Sequence, residues 1–161
     1  MAQDINFTFP APHDSPGYLL GQVNMLWQRT HKKVLAPLNL TQTQFVLMAA
    51  VAWLSKHNDN VTQVDIATQS NSDRMMVSKV LRTLEKKQYI SRHPHATDSR
   101  AKVIQLTEEG ATLLQTVLTA IESADRAFFA AVGDLSDFNA MMVRLVEDNR
   151  GEYGVLLVDF I

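Results

Sequence analysis

Apolar residues recur at helical spacing along most of this chain, and the spacing changes in one short stretch only. From Gly17 to Ala36 the apolar positions Leu19, Val23, Leu26, Trp27, Val34 and Leu35 share a helical face. Pro37 is expected to stop that helix, because the residue before a proline is pushed out of the helical region. Thr41-Gln42-Thr43-Gln44 fits a capping box ahead of a helix that carries Phe45, Leu47, Met48, Val51, Ala52 and Leu54 to about His57. Asn58-Asp59-Asn60 reads as a turn. Thr62 is placed to cap a short helix through Gln69, with Val64, Ile66 and Ala67 apolar. Ser70-Asn71-Ser72 breaks the pattern, and Asn71 or Ser72 is expected to cap a third helix to about Lys87.

This third helix sets Val77, Val80, Leu81 and Leu84 on one face and Arg74, Met75, Ser78, Lys79 and Arg82 on the other. Two short helices joined by a tight break, the second with a basic outer face, form the helix-turn-helix pattern. Its second helix is the kind that enters a DNA major groove. The period then drops to two. Tyr89 to Arg92 and Lys102 to Leu106 read as strands around a polar loop, His93 to Ala101. A basic-tipped hairpin in this place is a wing, and Arg100 suits a narrow minor groove. Thr107 caps a long helix to about Val132, with Glu108 and Glu109 favourably placed in its first turn. Ser136 is expected to cap a last helix carrying Met141, Met142, Leu145 and Val146.

The expected fold is mainly α with a small β-hairpin wing: a winged helix-turn-helix with dimerisation helices at both ends. Residues 1–16, with three prolines, read as an extended N-terminal arm. Residues 17–161 read as one domain. Its DNA-binding lobe is 41–106, and its dimerisation parts are 17–36 and 107–161. The first helix, the long helix, the last helix and the apolar tail Gly151 to Ile161 exceed what one chain of this size buries. They are therefore expected to pack against a second copy.

Composition narrows the chemistry. The chain has no cysteine, which excludes disulfides, thiolate metal sites and cysteine nucleophiles. Residues 73–102 hold eight bases and three acids, whereas the rest holds seven bases and fourteen acids. An acidic body with one basic segment suits a protein that touches an anion with one face. The sequence lacks a phosphate-binding glycine loop, a Gly-x-Ser-x-Gly elbow and a His-Glu-x-x-His motif. Glu108 and Glu109 are adjacent on a helix and diverge, so no catalytic residues and no cofactor are assigned. His93 and His95 lack a third convincing ligand, so no metal is assigned. An N-terminus without a basic start, and no long apolar run, make a cytoplasmic, non-membrane protein the default expectation.

Several blocks, in order, resemble the multiple-antibiotic-resistance regulator (MarR) family of transcription factors. Leu40-Thr41-Gln42-Thr43-Gln44-Phe45 is similar to the start of that family's second helix. Met76-Val77-Ser78-Lys79-Val80-Leu81 with Leu84-Glu85-Lys86-Lys87 is similar to its recognition helix. Asp98-Ser99-Arg100-Ala101-Lys102, then Leu106-Thr107-Glu108-Glu109-Gly110, is similar to its wing and the helix after it. The resemblance covers about Gly17 to Asp148. It implies a homodimeric regulator of a pseudo-palindromic operator; such proteins usually repress, and many release DNA on binding a small aromatic or phenolic molecule. It also maps the wing arginine onto Arg100 and its supporting acid onto Asp98, which would orient Arg100 by a charge-assisted hydrogen bond. Gln88 stands where the family usually has a helix-ending glycine.

The candidate DNA contacts are therefore Thr62, Gln63, Arg74, Met75, Ser78, Lys79, Arg82, Asp98, Arg100 and Lys102. Each has a plainer reading. Thr62 serves equally as a simple cap, Lys86 and Lys87 as solvation of a helix end, and the outer face as an ordinary polar surface. Trp27, Phe45 and Trp53 are candidates for a ligand pocket, although such aromatics more often belong to the core. Two alternatives stay open: a winged helix used for protein–protein contact, and a small-molecule-binding protein without DNA.

Overall fold

The computed structural model describes residues 5–149. The apolar tail Gly151 to Ile161 and the first four residues lie outside them. A 3-10 turn, Pro12–Asp14, precedes α1 (Pro16–Leu35). The arm therefore folds just ahead of its own helix, where the Ser15 hydroxyl accepts the Tyr18 N–H and Pro16 takes the first helical position. Then follow α2 (Gln42–Leu54), α3 (Gln63–Gln69), α4 (Arg74–Lys86), β1 (Ile90–Pro94), β2 (Lys102–Leu106), α5 (Glu108–Phe128) and α6 (Leu135–Asp148).

The local chemistry explains most boundaries. The expected capping box is present at α2: Gln44 N–H donates to the Thr41 hydroxyl, and Thr41 N–H to the Gln44 amide oxygen, both at 3.2 Å. Three ends differ from expectation. Ala36 stays in the right-handed helical region although Pro37 follows, because the chain tightens into a 3-10 turn, Ala36–Leu38. Asn39, at φ 53°, makes the stop, and Leu40 N–H returns to the Leu35 carbonyl. Asn71 is likewise left-handed (φ 46°) and ends α3, so the cap of α4 moves on to Asp73, whose carboxylate accepts the Met76 N–H at 2.8 Å. Asp134 rather than Ser136 caps α6. The Ser136 backbone N–H on its carboxylate, helped by the Ser136 side chain, holds the Asp134 carboxyl below its usual range.

The core lies where α2, α3, α4 and the base of the hairpin meet the first half of α5. Leu47, Met48 and Val51 of α2, Ile66 of α3, and Val77, Leu81 and Leu84 of α4 are fully buried there with Ile104 and Val117. β1 and β2 pair antiparallel, with Ile90 opposite Leu106 and Pro94 opposite Lys102. Val103 and Ile104 are both buried, against simple alternation. Thr62 forms a bridge with Val103, and Ile104 N–H donates to the Val61 carbonyl at 2.8 Å, so the chain before α3 acts as a short third strand. α1 lies along α5 and meets α2 at 82°. Among the described residues no single helix is long and apolar enough to cross a membrane.

Recognition helix, wing and α5 converge on one tight joint. Gln88 adopts φ 61°, the left-handed stop that its family-like position implies, and Tyr89 N–H returns to the Leu84 carbonyl. The Thr107 hydroxyl donates to the Gln88 carbonyl at 2.6 Å and accepts the Gly110 N–H at 3.0 Å. Thr107 N–H donates to the Tyr89 carbonyl at 3.1 Å. A β-carbon at position 110 would fall inside van der Waals contact with that same carbonyl, so glycine is required there for space. Two substitutions are expected to act oppositely in urea unfolding. Gln88→Gly relieves the left-handed strain and raises stability by about 1 kcal/mol. Gly110→Ala forces the joint apart and lowers stability by about 1–3 kcal/mol.

Candidate nucleic-acid interface

The outward side of α4 is built by subtraction. Val77, Leu81 and Leu84 turn into the core, which leaves Arg74, Met75, Lys79, Arg82 and Lys86 exposed on the opposite side, with Ser78 half-buried at its edge. Met75 is 81% exposed at the first turn of α4. An apolar side chain so exposed has no role in the core, and its site near the helix start is where base edges, including thymine methyls, are met. Arg82 donates from Nη2 to the Ser78 hydroxyl at 3.3 Å, which steers the guanidinium along the helix. Gln63 donates from Nε2 to the Arg74 carbonyl at 3.3 Å and ties the start of α3 to the start of α4.

Thr62 is committed to its helix. Its hydroxyl donates to Asp65 at 2.8 Å, and its backbone N–H reaches the same carboxylate oxygen at 2.8 Å. The Thr62-x-x-Asp65 spacing is itself a capping box, legible in the sequence but not read there.

In the wing, Arg100 projects with its side chain 95% exposed. Asp98 does not hold the guanidinium by a hydrogen bond: Nε lies 4.0 Å from its oxygen. The carboxylate accepts the Arg100 backbone N–H at 2.9 Å instead, so it shapes the loop and leaves the guanidinium free for solvent. His95 helps from inside. Its Nδ1 accepts N–H groups from Thr97 at 3.3 Å and Asp98 at 3.1 Å. It thus serves the turn as an acceptor for two backbone amides. Lys102 is exposed on β2 beside Pro94, at the base of the loop rather than its tip.

Two of the bases in the 73–102 window turn inward. Lys87 donates from Nζ to the Asn39 carbonyl at 2.6 Å and to Gln44 at 3.3 Å. Arg92, only 19% exposed, pairs with Glu85 at 3.1 Å and ties the wing to α4. The strand period announced this, since Arg92 shares a face with the buried Ile90. Arg74, Lys79, Arg82, Lys86, Arg100 and Lys102 remain exposed.

The three aromatic candidates have separate surroundings. Phe45 is buried in the core. Trp27 donates from Nε1 to Asp125 at 2.8 Å, joining α1 to α5. Trp53, half-buried, lies under the Lys56 ammonium, 4.5 Å from its ring centre. A groove of about 590 Å³ at the α1–α2 junction is lined by other residues, among them Met25, Arg29, Lys32, Leu40 and Thr43. Among the described residues no three His, Asp or Glu side chains gather into a metal-holding group.

Comparisons with known proteins fit this geometry. Residues 40–102 match the MarR family model. The chain is 40% identical over 139 residues to the HTH-type transcriptional regulator YdcH of Bacillus subtilis (strain 168), itself uncharacterized, covering 86% of this chain and 95% of the relative. Among solved structures, CouR from Rhodococcus jostii RHA1 bound to p-coumaroyl-CoA superposes with a TM-score of 0.77 at 21% identity, over 92% of this chain and 100% of that one. A MepR–DNA complex from S. aureus superposes with a TM-score of 0.72 at 23% identity, over 83% of this chain and 96% of that one. The structural likenesses speak to the winged-helix fold. The family match lies on the helix-turn-helix and wing, and the identity to a helix-turn-helix regulator extends over nearly the whole chain; this chain belongs to the MarR family of transcriptional regulators.

Proposed function

We propose that the protein is a cytoplasmic, homodimeric repressor that acts by binding double-stranded DNA rather than by catalysis. In this reading α4 enters the major groove of each half of a pseudo-palindromic operator, and Arg100 enters the adjoining minor groove. The observation that carries it is the exposed row Arg74, Met75, Lys79 and Arg82 on α4, followed by a wing whose arginine is solvent-exposed and whose loop is internally braced. Ser78, Gln63 and Lys102 flank that row, whereas Thr62 and Asp98 act by shaping the backbone. The DNA in the MepR structure supports this reading.

The same reading needs a second copy. On α1, Leu19, Leu20, Val23 and Leu26 are 42–57% exposed, and on α6 Met141, Leu145 and Val146 are 45–60% exposed. Two amphipathic helices with uncovered apolar faces, one at each end of the chain, suit a symmetric partner. Release by a small aromatic ligand completes the proposal, supported by the ligand-bound CouR structure. A ligand that prefers a spread dimer would lower the population with operator-competent spacing.

Selection from random DNA at fixed salt should return a two-fold site with half-sites about one helical turn apart. On that site Arg100→Ala is expected to weaken binding about tenfold or more, without change in melting temperature. Lys79→Ala should reduce the slope of log affinity against log salt by about 1. Unchanged affinity in both variants would remove α4 and the wing from the interface. In light scattering, Leu145→Glu is expected to shift the protein from dimer to monomer at micromolar concentration, because it sets a charge in an apolar face.

A further inference from the structure

A polar chain runs through the junction of α1, α2, α4 and α5, and neither capping nor DNA contact accounts for it. His31 is 2% exposed, and both ring nitrogens are engaged: Nε2 lies 2.7 Å from Asp125 of α5, and Nδ1 lies 3.1 Å from the Gln42 amide oxygen at the start of α2. Trp27 donates to the same Asp125 oxygen at 2.8 Å and packs against His31, ring centres 4.0 Å apart and planes tilted by 48°. On the other side of the same joint, Lys87 at the end of α4 donates to the Asn39 carbonyl and to Gln44. Gln44 in turn accepts from Thr41 N–H, next to Gln42. The segment 39–44 is thus gripped from the helices expected to dimerise, through His31, and from the recognition helix, through Lys87.

We propose that His31, Asp125 and Lys87 are positioning residues that set the angle of α1 relative to the body formed by α4, the wing and α5, and thereby the distance between the two recognition helices of a dimer. The inference rests on the dimeric DNA-binding reading above. Its physical basis is directional. Apolar packing tolerates sliding and rotation, whereas charge-assisted hydrogen bonds hold atoms at fixed distance and angle. Four helices meet at this junction, and the 82° crossing of α1 and α2 gives a long lever, so a small rotation there moves the far end of α4 considerably.

The chain lacks cysteine, so Met75→Cys accepts a single spin label per chain at the start of α4. The label-to-label distance in the free dimer is then read by pulsed electron resonance. The parent should show a narrow distribution. Asp125→Asn and Lys87→Met are each expected to broaden it about twofold, and Lys87→Arg to restore it. On DNA, with Met75 intact, the same variants should lose about tenfold in discrimination between the selected operator and one with a base pair inserted at its centre, while single half-site affinity stays within about twofold. Unchanged distance distributions in a folded dimer, or a fall in melting temperature with spacing discrimination preserved, would overturn the positioning role and leave the DNA-binding reading standing. A parent protein that is monomeric, or that selects no DNA, would overturn that reading and this inference with it.

Discussion

The architecture depends on one crowded joint, where the Tyr89 carbonyl sits between the Thr107 N–H and the backbone of Gly110. Three elements begin or end there. α4 stops in the left-handed turn at Gln88, β1 starts two residues later, and α5 is capped by Thr107 against the Gln88 carbonyl. Because the contact is backbone to backbone, it leaves no room for a side chain and little freedom of angle. The recognition helix, the wing and the long helix thus move as one body. The Glu85–Arg92 pair and the Thr62–Val103 bridge add lateral ties between α4, the wing and the chain entering α3.

Around this rigid lobe the balance of forces changes. Within α2, α3 and α4 most apolar residues are enclosed, so hydrophobic burial is the main force that holds the lobe. Along α1 and α6 they are not, and the link between α1 and α5 is reinforced by polar contacts through Asp125.

Charge follows the same division of labour. Lys87 and Arg92 brace the lobe, and the remaining bases of residues 73–102 face water. Asp98 and His95 spend their polar atoms on the wing backbone, which leaves the Arg100 guanidinium unclaimed. The net charge of the whole chain, −2, hides this arrangement, because what an anion meets is the local field on one face.

Helix periods, the capping boxes at Thr41 and Thr62, the cap at Thr107 and the two-residue period of the hairpin were all legible from residue order, since each depends on neighbours within about four positions. At Gln88 the missing glycine left open whether the helix ends in a left-handed turn or shifts its end, and the structure decides for the left-handed turn. Termini governed by a left-handed residue were misplaced: Asn39 and Asn71 displaced the expected stop and the expected cap, because asparagine's tolerance of positive φ leaves the choice to packing. The inward turn of Lys87, the Asp125–His31–Gln42 chain, and the use of Asp98 on a backbone amide required the tertiary structure. Their partners stand far apart in sequence, or compete with an equally near atom. Only when the helices are set against one another does geometry decide which oxygen each donor reaches.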